Sequence, residues 1–112
     1  MDNKKLEIEI NMLHQRICQA LADPTRILIL YLLADKPLCV NELVGLLNLP
    51  QSSVSRHLGI LRERNLVKTE RDGASIYNKL ADHRIIDALD IMRAILATQL
   101  VNSVEIAQSL IE

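Results

Sequence analysis

The chain has 112 residues and a mass of 12.7 kDa, which is room for one domain and excludes a multidomain enzyme. Hydrophobic residues make up 49% of it, with no Trp, no Phe and only two Tyr; aliphatic side chains must build the core, and disordered and fibrous classes are excluded. Thirteen Lys and Arg against fourteen Asp and Glu leave a net charge of −1, which argues against a nonspecific nucleic-acid binder.

The charge is unevenly spread. Residues 51–80 hold six basic groups (Arg56, Arg62, Arg64, Lys68, Arg71, Lys79) and three acidic ones (Glu63, Glu70, Asp72), a local +3 that leaves −4 for the rest. So much Leu and Ile on so small a body exceeds what one subunit can hide, which points to an oligomer. Met1-Asp2-Asn3-Lys4-Lys5 has no apolar run of signal type behind it, and no uninterrupted run of about 18 apolar residues occurs. The expectation is a cytoplasmic protein with no membrane partner, whose Cys18 and Cys39 are reduced thiols rather than a disulfide.

In chain order, Leu6, Ile10, Leu13, Ile17 and Leu21 recur at helical spacing and predict a helix over 4–22. Asp23-Pro24 interrupts it and starts a second: the carboxylate caps free N–H groups and Pro takes the first helical position. That helix, over 24–34, carries Ile27, Leu28, Leu30, Tyr31, Leu32 and Leu33 on most sides, as a central buried helix does. Asp35-Lys36-Pro37 is a turn. Cys39-Val40-Asn41-Glu42 then stands where a Ser/Thr-x-x-Glu capping box commonly opens a helix, and Leu43, Val44, Leu46 and Leu47 make about two turns.

Asn48-Leu49-Pro50 breaks the pattern, and a further helix begins at Gln51 with Val54, Leu58 and Leu61 on one face and Ser52, Ser55, Arg56 and Arg62 on the other. Two short helices joined by a tight turn, over 39–65, make a helix-turn-helix. Next, 66–71 and 74–80 flank Asp72-Gly73, a dipeptide suited to positive φ, and predict a hairpin over 66–80. Asp82 can cap a last helix over 82–109, with Ile85, Leu89, Met92, Leu96 and Leu100 in one stripe widened by Ile91, Ile95, Val101 and Val104. The fold class is mainly α with a small β-hairpin (α+β): a winged helix-turn-helix in a single domain, 1–112, dimerising through its first and last helices.

Leu21-Ala22-Asp23-Pro24-Thr25-Arg26, Leu38-Cys39-Val40-Asn41-Glu42-Leu43, Gln51-Ser52-Ser53-Val54-Ser55-Arg56-His57-Leu58, and Gly73 with Tyr77 resemble, in that order, the motifs of the ArsR/SmtB repressors. The resemblance covers about residues 13 to 100. It implies a homodimeric repressor that binds double-stranded operator DNA at half-sites about one helical turn apart and leaves it when a small inducer binds.

The residues fit that implication. Short hydroxyl and amide side chains at the start of a helix approach phosphates and base edges closely, and the positive helix end favours phosphate. Gln51, Ser52, Ser53, Ser55, Arg56 and His57 are the candidate DNA contacts, with Lys68, Arg71 and Tyr77 on the wing. The bland readings are capping hydroxyls on a solvated face and lysines that solubilise an edge strand.

The sensor is less complete. Where arsenic-type members of the resembled family carry Cys-Val-Cys, this chain has Cys39-Val40-Asn41. Where zinc-type members place their last-helix ligands it has Asp82, Arg84, Ile95 and Thr98, and an Arg and an Ile cannot ligate a cation. Where persulfide sensors pair two thiols it has Tyr31 and no last-helix Cys.

Cys39, Cys18, His14 and Glu42 remain as candidates for a thiophilic metal or metalloid ion or a redox signal. A plain packing role competes for Cys18 and an incidental one for Cys39. No Gly-rich phosphate loop or nucleophile-base arrangement marks an enzyme. The alternatives are a regulator that senses no metal and a winged-helix protein-interaction module.

Overall fold

The computed structural model describes residues 2–111. They form two compact units that divide between Asp82 and His83. The first begins with helix α1, Asn3–Leu13, capped by Asp2, whose side chain accepts from the Lys4 N–H at 3.0 Å. The helical path continues, but not as the uniform helix its apolar spacing predicts. His14–Cys18 is a π-helix, in which the Gln19 N–H reaches back five residues to the His14 carbonyl at 2.9 Å. The wider turn shifts the face that follows, so that Ala20 is buried while Cys18 is exposed.

Helix α2, Pro24–Asp35, starts as Asp23-Pro24 predicts. Asp23 Oδ1 accepts from Thr25 N–H at 2.8 Å and Arg26 N–H at 3.4 Å, and Pro24 occupies the first turn. Its Ile29, Leu30 and Leu33 are buried. Helix α3, Val40–Leu47, and helix α4, Gln51–Glu63, are joined by Asn48-Leu49-Pro50. Asn48 ends α3 in the left-handed region at φ 54°, a conformation Asn tolerates better than most residues. Leu43 from α3 and Val54, Leu58 and Leu61 from α4 join the α2 residues in the core. Burial of each such side chain contributes about 1.5–3 kcal/mol, which holds the helix pair against α2.

Strands β1, Val67–Asp72, and β2, Ser75–Leu80, form an antiparallel hairpin with Val67 opposite Leu80 and Asp72 opposite Ser75. The connecting residues are Gly73-Ala74, one position later than the predicted Asp72-Gly73. Gly73, at φ +63°, takes the first loop position, where a II′ turn needs positive φ. A third chain segment adds to the sheet: Leu38, just before α3, forms an antiparallel bridge with Asn78.

The second unit is helix α5, Arg84–Ile111. Ile86 and Leu89 are buried, but Ile91, Met92, Ile95, Leu96, Leu100 and Val104 are each more than half exposed. By length and composition this helix is also apolar enough to cross a membrane, with a mean hydropathy of 1.2 over its best window.

Candidate nucleic-acid interface

Helix α4 presents two faces. Val54, Leu58 and Leu61 are fully buried and fix its rotation about its own axis, which turns Gln51, Ser52, Ser55 and Arg56 to solvent. Ser53 is half-buried. Pro50 precedes the helix and no side chain caps it, so the positive end of α4 faces outward with its first N–H groups open to an acceptor.

His57 leaves the predicted contact set. It is only 5% exposed, because it lies on the same side of α4 as Val54, Leu58 and Leu61. Its Nδ1 stands 3.3 Å from Nη1 of Arg26. Burial pushes the imidazole below its usual range, Asp23 pulls the other way, and Arg56 and Arg26 add to the depression. Arg26, whose role the sequence did not disclose, is a clamp. Its Nε donates to the Ala20 carbonyl at 2.7 Å and its Nη2 to that of Gln19 at 3.2 Å, while Nη1 lies 3.8 Å from Asp23 Oδ2.

The hairpin register separates the wing candidates. Residues directly opposite share a face, so Lys68, Glu70, Asp72, Tyr77 and Lys79 lie on one side and Thr69, Arg71, Ile76 and Asn78 on the other. The first side mixes charges: Lys79 Nζ pairs with Glu70 Oε2 at 3.4 Å. The second carries Arg71 with no carboxylate beside it on that face. It is also the side that meets α4, for Arg62 Nη1 reaches Asn78 Oδ1 in a long contact of 3.5 Å. Asn78, 1% exposed, is the other residue that sequence reasoning missed. The available signal was an amide in a strand position that shares its face with the apolar Val67 and Leu80.

The sensor candidates are not gathered. Both cysteines are free thiols, Cys18 exposed and Cys39 half-buried. Cys39 is the N-cap of α3 and forms a capping box with Glu42, whose Oε1 accepts from the Cys39 N–H at 3.1 Å. Bonds from the Cys39 N–H and thiol hold the Glu42 carboxyl below the usual range. Among the described residues no three His, Cys, Asp or Glu side chains come together as a metal would require. Cys39 and Glu42 meet at the start of α3.

This arrangement, a two-helix reading head backed by α2 and flanked by a two-stranded wing, defines the winged helix-turn-helix class of DNA-binding protein. Residues 23–69 match the family model described as bacterial regulatory protein, arsR family. The chain is 44% identical over 69 residues to the HTH-type transcriptional repressor SmtB of Mycobacterium tuberculosis, covering 62% of this chain and 51% of that one. It is 33% identical over 92 residues to the biofilm growth-associated repressor of Agrobacterium fabrum, covering 80% and 74%.

Among solved structures, Rv0081 of Mycobacterium tuberculosis is 33% identical with a TM-score of 0.76 and covers 85% of this chain and 96% of its own. The homodimeric winged helix-turn-helix DNA-binding domain Mb0332 of Mycobacterium bovis, a possible ArsR-family regulator by its description, has a TM-score of 0.74 over 89% and 91%. At 22% identity it speaks to the fold alone.

The chain belongs to the arsR family of bacterial transcriptional regulators. It spans about half the length of the first curated relatives it matches.

Proposed function

We propose that this chain is a homodimeric repressor that reads operator DNA with α4 and braces against the backbone with its wing. The observation that carries the reading is the outward row of Gln51, Ser52, Ser55 and Arg56 on an uncapped helix whose other face is locked in the core. Arg56 supplies charge, the hydroxyls and amide approach base edges and phosphates, and the helix end adds its dipole. On the wing, Arg71 is the stronger phosphate contact, because it shares the α4 side, whereas Lys68 and Tyr77 share their face with Glu70 and Asp72.

Exposed apolar residues on α1 (Ile8, Ile10, Met12, Leu13) and along α5 point to a second copy as their cover. A bilayer fits α5 poorly. Asn102 and Glu105 lie on one side of it, and in hydrocarbon these would stay unpaired. A DNA partner of this kind implies a cytoplasmic location.

Release from DNA, if a thiol senses the inducer, runs through Cys39 at the start of α3. The variant Cys39→Ser keeps the helix cap and removes the sulfur, so operator binding should persist while a thiol-reactive inducer loses its effect. Normal release of the variant would assign sensing elsewhere. The reading as a whole is tested by selecting duplexes from a random pool with the full chain and titrating the selected duplex with salt. A specific complex whose affinity falls steeply with salt supports it; no enrichment would turn attention to a protein-binding role.

A further inference from the structure

His57 and Arg26 are the buried polar pair that DNA contact leaves unused. Arginine has donors and no acceptor, so the 3.3 Å approach of Arg26 Nη1 to His57 Nδ1 is a hydrogen bond only when Nδ1 carries no proton. The geometry therefore selects the neutral imidazole with its proton on Nε2. Arg26 is in turn fixed by three other groups, the carbonyls of Gln19 and Ala20 and the Asp23 carboxylate. One guanidinium thus ties the segment that follows the π-helix and the start of α2 to the inner face of α4. On α4, His57 is the residue next to Arg56 and two past Ser55.

We infer that Arg26 and His57 are a positioning pair for α4: neutral His57, held by Arg26, sets the lie of the reading helix, and protonation of His57 lowers operator affinity. The inference rests on the DNA-reading role proposed for α4. A second proton on the imidazole removes the acceptor and sets a cation against the guanidinium, so the contact must open. Among the described residues, the charges that act on His57 are Asp23 and Arg26 at the start of α2 and Arg56 on its own helix, with none from α3 or β1. Asp23 alone favours the charged imidazole, and it is already shared with the Thr25 and Arg26 N–H groups.

The sign of the effect separates this pair from ordinary electrostatics. Acid in general adds positive charge to a protein surface, which strengthens DNA binding. A repressor with no such pair should bind its duplex more tightly in acid, whereas this one should bind more weakly.

The experiment is fluorescence anisotropy of the full chain on a duplex selected from a random pool, between about pH 7.5 and about pH 5 at constant ionic strength. The wild type should lose affinity by roughly threefold or more as pH falls. His57→Asn offers an amide oxygen near the position of Nδ1 and cannot titrate, so it should bind like wild type at neutral pH and show no acid loss. His57→Leu fills the space without an acceptor and should bind about tenfold more weakly at neutral pH, a difference of about 1.4 kcal/mol.

Ring nitrogen chemical shifts of the wild type, which need no variant to fold, should show the proton of His57 on Nε2. A proton on Nδ1 at neutral pH, or an acid loss unchanged in His57→Asn, overturns the inference while leaving DNA reading intact. Absence of a specific complex at every pH removes the DNA-reading role, and the inference with it.

Discussion

Asn78 and Leu38 exchange both backbone hydrogen bonds, Leu38 N–H to Asn78 O at 3.0 Å and Asn78 N–H to Leu38 O at 2.7 Å, and the Asn78 side-chain amide donates to the same Leu38 carbonyl at 3.2 Å. One buried residue of the wing therefore grips the segment that leads into α3, and the long contact from Arg62 adds α4 to the same point. The wing is thus fixed to the reading head by polar bonds as well as by the burial of Leu66 and Val67.

Asn78→Ala should lower the stability of the fold by about 1–3 kcal/mol, since it strips a side-chain bond from a buried carbonyl and leaves a small void. Urea denaturation would show this as a lower midpoint with an unchanged slope. A change below about 0.5 kcal/mol would mean that the backbone bridge alone holds the wing.

Asp23 caps α2 and pairs with Arg26, so Asp23→Ala should lower the melting temperature by about 5 °C. The pH dependence has a definite sign. Partial burial acts to raise the Asp23 pKa, but the Thr25 and Arg26 N–H groups and the charges of His57 and Arg26 outweigh it, and the folded value lies below the ordinary one. A carboxyl depressed in the folded state stabilises fully above the unfolded pKa and loses that contribution as pH falls through the folded pKa. Wild type and Asp23→Ala should therefore differ in melting temperature at neutral pH and converge below the usual carboxylate range. A gap that persists there would assign the effect to something other than the charged cap.

The elements with a local cause were legible in the sequence. Asp23-Pro24 marks the start of α2 because cap and ring act within one turn, and the spacing of Val54, Leu58 and Leu61 tells the inner face of α4 from the outer. What stayed hidden depends on contacts distant in the chain or on an irregular turn. The inward place of His57 needs Arg26, 31 positions earlier, to satisfy it. Asn78 needs Leu38, 40 positions away. The π-helix at His14–Cys18 inserts a residue into a repeat whose spacing still reads as regular, which is why the outward place of Cys18 was not legible. The hairpin differed by one position because Gly73 suits either slot of a two-residue loop, and only strand pairing chooses between them.

On DNA, Arg56 and Arg71 should behave as phosphate or base contacts and Lys68 as a weaker one. Replacing either Arg with Ala should weaken binding by about 1–3 kcal/mol if it reads a base, or reduce the salt slope by about one if it meets a phosphate. Lys68→Ala should change affinity less than Arg71→Ala, because Lys68 lies on the face that carries Glu70 and Asp72. Titrations at several salt concentrations give both quantities. Equal losses at the two positions would mean that the wing lies flat on the backbone and not edge-on from its α4 side.

Met92, Leu96 and Leu100 recur along α5 at intervals of four, and each is more than half exposed. A stripe of this kind in water costs free energy on the order of 25 cal/mol for every Å² left uncovered, which a second copy relieves. Leu96→Glu sets a charge in the middle of the stripe, where pairing would bury it without a partner. The variant should sediment as a monomer at micromolar concentration where wild type is a dimer, while its circular dichroism stays helical. Operator affinity should then fall by about a hundredfold or more, since one chain no longer carries the second reading helix to its half-site. A dimeric Leu96→Glu would place the interface on another face, and a monomeric wild type would end the two-fold reading of the operator.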